Sequence, residues 1–407
     1  MIFKIAWRNI YRNKKRTLIT VTSIFAALFL IILMRALQFG FYDNIIKTVV
    51  ESYAGYVEVH AEGYWDNQSL DNAMEVDQKL IDDISSVEGV ENIVQRLQTF
   101  SLISMGEKTK GGVINGVDIS DEQKITDWNK KMLSGSFDLG ENEIIVGKGI
   151  AEYFDIREND TLILYGQGYR GMMAAGKYPV KGVIDLKNPD LNKLGIFMAI
   201  ESARNYVSSE EISTHIIIDK EQYYDEEKIV KDLSQILSKD YEIMTWKKTL
   251  PEIEQTITAD NAGGLIMAFI LYIIVVFGMF GTVLMMTEER KYEFGVLISI
   301  GMSRVRLFGI ILIETIILSM IGVFLAIILT YPISYYFNLN PIDMAVLMGE
   351  GADQMLEDLG FSPLAPMSIS WDIPLSHALV IFIFSLLISI YPAIKILNLN
   401  PVKSMKI

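Results

Sequence analysis

A chain of 407 residues with 51% hydrophobic content and a formal charge of −14 is too apolar for an ordinary soluble protein and too acidic for a nucleic-acid partner, which would need concentrated Lys and Arg. The absence of cysteine excludes disulfides, thiolate catalysis and cysteine-ligated metals. A membrane protein with a large water-exposed part is the class that remains.

In chain order, residues 1–16 form a basic, amphipathic segment carrying Lys4, Arg8, Arg12, Lys14, Lys15 and Arg16. The apolar run 17–37 that follows is long enough to span a bilayer, which takes roughly 20 helical residues. It superficially resembles a signal peptide, but the run is too long and no small-x-small site follows, so a retained first span is expected. Arg35, near its outer end, is expected to snorkel to the external interface.

Residues 38–264 alternate strand-like and helix-like segments and predict a large α+β domain. AGYVEVHAEGYW (54–65) reads as a strand, 77–86 as a helix, and 98–118 as two strands around a turn at 105–110. ENEIIVGKGIAEYFDIRENDTLILYG (141–166) reads as strand, Gly turn, short helix, turn and strand; 214–220, 226–237 and 241–246 read as strand, helix and strand. GKGIAE lacks the Gly-Lys-Ser/Thr ending of a phosphate loop, so a tight strand-to-helix turn is expected there. His60, His215 and His377 are far apart with no ligand spacing, and no Ser/His/Asp grouping appears, so neither a metal site nor an enzyme active site is expected. Between TLILYG and YPVKGVI, residues 167–177 read as a long Gly-flanked loop whose Tyr169, Met172 and Met173 offer adaptable contact surface.

Three further apolar runs, 265–287, 307–331 and 375–397, complete four spans. Lys and Arg gather in the N-terminal segment, in the loop 288–306 and in the tail 398–407, whereas the loop 332–374 is acidic. Both termini are therefore expected on the cytoplasmic side, with 38–264 and 332–374 outside. In the short loop EERKYEFGVLISIGMSRVR, Tyr292, Val296 and Ile300 recur at helical spacing, Phe294, Leu297 and Ile298 widen the apolar face, and Glu293 falls in the first turn. Glu314 lies about two turns inside the third span, where a carboxylate must face a partner rather than lipid; Arg306, Arg16 and Lys395 are the cations expected near it.

AWRNIYRNKKRT, the four spans, ERKYEFGVLISIGMSRVRL and the tail YPAIKILNLNPVKSMK together resemble the FtsX/MacB-type permease family of ABC transporters. Within the external domain, VEGVENIVQRL, VINGVDI, EIIVGKGIAEYFDIRENDTLIL and AIESARNYV resemble, in order, the segments of the lipoprotein-releasing (LolC/LolE-like) permeases and MacB. The resemblance implies four transmembrane helices with a large α+β extracytoplasmic domain, a MacB-like core with a subdomain inserted at about 98–200, between helices 1 and 2. It implies an inner-membrane permease subunit that is not itself an enzyme and binds no cofactor, with ATP and magnesium held by a separate ATP-binding subunit present in two copies. A second permease copy or a paralogue, and a periplasmic lipoprotein carrier, are the other implied partners. The 288–306 loop is then the coupling helix, with Glu293, Phe294, Gly295, Leu297, Ile298, Gly301 and Arg304 in contact with the ATP-binding subunit. The 167–177 hairpin is the implied counterpart of the hook that receives the carrier. Lipoprotein release is the leading implied function; MacB-like efflux or mechanotransmission and FtsX-like regulation of a cell-wall hydrolase are the alternatives.

Overall fold

The computed structural model describes residues 2–400 except 127, 158–159, 187, 210, 222–223 and 359–360. The chain divides into two units, one helical (residues up to Asp43, Ile257–Ile342 and from Leu364 on) and one α+β (Asn44–Thr256 and Asp343–Pro363).

The helical unit is built on α1 (Ile2–Arg12), α2 (Lys14–Val49), α3 (Pro251–Glu289), α4 (Lys291–Ser299), α5 (Arg304–Leu339), α6 (Asp372–Ile388) and α7 (Ile390–Leu397). Among the described residues, four helical stretches, α2, α3, α5 and α6 with α7, are long and apolar enough to cross a membrane. The 36 residues of α2 rise roughly 54 Å at about 1.5 Å each, well beyond the ~30 Å of a hydrocarbon core, so the helix outruns its apolar run. Ile24, Leu28, Ile32 and Ala36, spaced by four, turn one stripe of α2 toward Val275 and Met279 of α3, Val323 of α5 and Ile381 of α6. Gly322 permits the close crossing of α5 over α2, because a methyl group there would lie 2.8 Å from the Ile24 side chain.

Two faces of this unit stay uncovered. Helix α1 buries Ala6, Asn9 and Ile10 and exposes Phe3, Trp7 and Tyr11, a stripe of aromatic rings at i, i+4 and i+8. Helix α3 exposes Ile266, Phe269, Ile270, Ile274 and Phe277. Arg35 departs from the expected snorkelling. It is 5% exposed, donates to Gln38 Oε1 and to Asn261 Oδ1 (2.8 Å), and lies over the Phe39 ring, because polar residues of α2 and α3 satisfy it locally.

The α+β unit centres on ten strands: β1 (Val57–Ala61), β2 (Val90–Met105), β3 (Lys108–Val117), β4 (Met132–Gly135), β5 (Ile144–Gly147), β6 (Thr161–Gln167), β7 (Met173–Ile184), β8 (Gly195–Ala199), β9 (His215–Lys220) and β10 (Tyr241–Thr245). Their order is β10-β1-β9-β2-β3-β8-β5-β7-β4, and β6 pairs with both β2 and β7. The circuit β2-β3-β8-β5-β7-β6 therefore closes on itself, a small barrel without free edges, filled by Leu97, Ile103, Ile114, Val146, Leu164 and Met198. The first half of β2 belongs instead to the open sheet β10-β1-β9-β2, whose apolar face (Val57, Val59, Ile216, Ile218) is covered by the helices Gln78–Ser85 and Glu226–Ile236. Asp77 and Asp225 cap those two helices through Leu80 N (2.8 Å) and Glu227 N (3.1 Å).

One expected loop is much shorter than the sequence suggests. The ladder of β6 and β7 continues to Gln167↔Met173, so only residues 168–172 connect the strands, through a single 3₁₀ turn at Tyr169–Gly171. Residues 173–177 look loop-like because of Gly176 and the alanines, yet the pairing of β6 carries them as strand. Tyr169 packs against the barrel core, while Met172 and Met173 are 58% and 84% exposed.

Candidate coupling site

The loop between the second and third long helices is a helix held between two sharp turns. Arg290 leaves α3 with non-helical backbone (φ −92°, ψ 7°) and α4 begins at Lys291. It ends before Gly301, whose φ of +96° suits only glycine at ordinary cost, and Ser303 then caps α5 by accepting from Arg306 N.

Arg290 organises this junction. Its guanidinium donates from Nη1 to Glu314 Oε2 at 2.9 Å and from Nε to Glu293 Oε2 at 3.2 Å, and it lies 5.3 Å from the Phe294 ring centre. Asn9 Nδ2 donates to the same Glu314 oxygen at 3.4 Å, and Arg12 Nη2 donates to Glu293 Oε1 at 2.7 Å. The polar groups thus close a circuit through α1, α4 and α5. The outer Arg12–Glu293 link differs in weight from the inner one. Arg12 and Glu293 are 54% and 43% exposed and contribute at most about 1 kcal/mol, whereas Arg290 and Glu314 are 7% and 3% exposed and neither tolerates losing the other. Around the circuit, Arg16 pairs with Glu289, Lys395 and Tyr391 reach Glu288, and Arg304 Nη2 donates to Leu399 O at 3.1 Å.

The partners of Glu314 differ from those expected. Arg306 is exposed, Arg16 turns to Glu289 and Lys395 to Glu288, and the carboxylate takes Arg290 because the turn after α3 folds that side chain inward. The apolar stripe of α4 also resolves into two faces. Phe294 and Gly295 are buried, with Leu297 and Ile298 half-buried, against Met286, Leu307, Ile311 and Ile396 of the same chain. Tyr292 (52%) and Ile300 (75%) point outward, as do Lys291 and Arg304. Glu288, Lys291, Phe294, Tyr391 and Ile394 line a cavity of about 460 Å³. Glu293, Phe294, Gly295, Leu297, Ile298, Gly301, Arg304 and Glu314 therefore gather at one end of the helical unit; Tyr169, Met172 and Met173 belong to the α+β unit. Sequence reasoning passed over Arg290 and Asn9, and nothing in their local pattern sets them apart from the neighbouring basic and polar residues.

Residues 265–401, from within α3 past α7, match the model of the family described as FtsX-like permease C-terminal. Over these residues the chain is similar to the C-terminal region of FtsX-like permeases. The chain also aligns with solved structures at low identity. One is the extracellular domain of the noncanonic ABC-type transporter YknZ from Gram-positive bacteria, at 14% identity over 47% of this chain and 100% of that one, with a TM-score of 0.34. A second is the periplasmic region of MacB from Actinobacillus actinomycetemcomitans, at 12% identity over 51% and 95%, TM-score 0.37. A third is a domain of a putative permease protein from Porphyromonas gingivalis, at 11% over 46% and 85%, TM-score 0.29.

Proposed function

We propose that the chain is the permease subunit of an ABC transporter, embedded in the inner membrane with both termini cytoplasmic. It works as a dimer, with a second copy or a paralogue, on two copies of a separate ATP-binding subunit that holds ATP and magnesium. Helix α4 is the coupling element. The observation that carries this reading is the division of α4: its inner face is held to α1 and α5 through Arg290, Glu293 and Glu314, while Tyr292 and Ile300 stand uncovered. Movement imposed on the outer face is passed to the long helices through the buried charges.

The same reading takes the α+β unit as the part that acts outside the membrane, with release of a lipoprotein toward a periplasmic carrier as the leading activity. Two features support an extraction mechanism over a polar pore. The buried hydroxyls of Thr315, Ser319 and Thr330 in α5 bond to carbonyls of their own helix and offer no path for a polar solute. Exposed Met172 and Met173 at the tip of the β6–β7 hairpin suit a protein partner.

Tyr292→Asp with Ile300→Asp tests the coupling face, since both side chains are exposed and the fold does not depend on them. The double variant is expected to purify from native membranes without its ATP-binding subunit, and the intact chain with it. Retention of that subunit, with substrate-stimulated ATP hydrolysis unchanged, would refute the assignment. Proteins and lipids captured by the intact chain discriminate among the activities: a lipoprotein carrier supports release, an outer-membrane adaptor supports MacB-like efflux, and a cell-wall hydrolase supports FtsX-like signalling.

A further inference from the structure

The open sheet of the α+β unit has a second face, and that face is polar although it is buried. Alternation along the strands places Glu58 and His60 of β1, His215 of β9, and Arg96 and Gln98 of β2 opposite the apolar side. They line a cavity of about 260 Å³, with Tyr64, Trp65 and Thr249 among the other walls. At about 30 Å³ per water that is room for roughly eight waters, or for one small organic molecule.

Two polar atoms in these walls lack partners. His60 is 1% exposed, and its Nδ1 lies 3.3 Å from Thr214 O, which can only accept, so Nδ1 carries a proton and in the neutral ring Nε2 is an acceptor. That Nε2 lies 3.1 Å from Glu58 Oε2, yet the geometry makes no hydrogen bond and Nε2 remains unsatisfied. Two acceptors this close require a donor between or beside them. Thr249 Oγ1 is the second buried orphan, and Thr249 is 9% exposed. Charge points the same way. Arg96 is neutralised by a bidentate bond to Glu122 (2.6 and 3.0 Å), so among the described lining residues Glu58 and, at the rim, Asp190 leave the cavity negative. Aromatic faces complete it: the Tyr64 ring stacks on His60 at 5.5 Å and the Trp65 ring stands 5.7 Å away. Among the described residues no group of three or more His, Asp or Glu side chains is set to hold a metal ion.

We propose that this cavity binds a small organic cation with a protonated primary amine. The ammonium donates to Glu58 Oε2 and His60 Nε2 and rests against the rings of Tyr64 and Trp65, a combination of ion pair and cation–π contact. Thr249 Oγ1 takes a further polar group of the ligand. A quaternary ammonium satisfies the rings but donates nothing to the two acceptors.

The test is a titration of the purified full-length chain, followed by ligand-observed NMR, with ethanolamine, tetramethylammonium and ethylene glycol as probes. Saturable binding of ethanolamine is expected, with tetramethylammonium at least severalfold weaker and ethylene glycol not bound. Glu58→Gln is expected to weaken ethanolamine about tenfold or more. Trp65→Leu, a half-buried wall position, is expected to weaken it severalfold with the circular dichroism unchanged, and it keeps the test valid if Glu58→Gln does not fold. Absence of saturable ethanolamine binding, equal binding of the three probes, or unaltered affinity in a folded Glu58→Gln variant would overturn the proposal.

Discussion

The Arg290–Glu314 pair allows a quantitative test of how α4 is held. Glu314→Leu leaves Arg290 buried with only Glu293, a partner at 3.2 Å that is 43% exposed, so the loss should sit near the lower end of the ~3–5 kcal/mol typical of breaking a buried pair. Arg290→Met leaves Glu314 with Asn9 at 3.4 Å as its one remaining partner among those described, and the cost should approach the upper end. Removing both charges together, as Arg290→Met with Glu314→Leu, leaves no uncompensated charge and should cost no more than the milder single change. The coupling energy is then at least about 5 kcal/mol. Equilibrium unfolding of the purified chain in mixed micelles titrated with SDS measures all four corners of the cycle. Additivity of the singles within about 0.5 kcal/mol would refute the pairing. Glu314→Gln, which keeps an acceptor for Arg290, should cost about 1–2 kcal/mol and leave activity measurable; abolished activity in a well-assembled complex would mean a proton pathway instead.

Replacing residues 168–172 by Asn-Gly should leave the β6–β7 ladder and membrane insertion intact and abolish crosslinking to an extracytoplasmic partner; unchanged crosslinking would place that contact elsewhere. Burial above all, then the nearby Arg96 guanidinium, holds His215 well below the ordinary histidine value of 6.5. Below that value only the unfolded chain takes up this proton, so unfolding free energy should fall as pH drops from 7 toward 5, by at most about 1.4 kcal/mol per pH unit from this group. Denaturant titrations across that range should show a slope that flattens in His215→Gln; an identical slope would remove His215 as its source.

The spans were legible because length and apolarity determine them, and the local strands and helices of the α+β unit because alternation and capping residues mark them. Which face of α4 turns inward was not. Phe294 and Tyr292 carry similar apolar weight, and only the position of Leu307 and Ile396 decides that Phe294 is covered. Closure of the barrel depends on β5 and β8 meeting strands far along the chain, which no local pattern encodes. His60 and His215 illustrate the same limit: widely separated in sequence, they lie with rings 5.8 Å apart because β1 and β9 are neighbours. Arg35 and Arg290 were misjudged or missed because a buried arginine is recognised by its partners, and those come from other helices.

The 16 residues of β2 run roughly 50 Å at about 3.3 Å each, first as a member of the open sheet and then as a stave of the barrel. The two halves are joined by continuous hydrogen-bonded backbone, so no slack loop along this strand can absorb a pull. A load applied to the open sheet reaches the barrel along β2, whose ladder with β9 ends at Arg96, where its ladder with β3 begins and runs on to Met105. Along this strand the unit is a stiff arm: a displacement at one end becomes a displacement at the other, instead of being dissipated as internal strain.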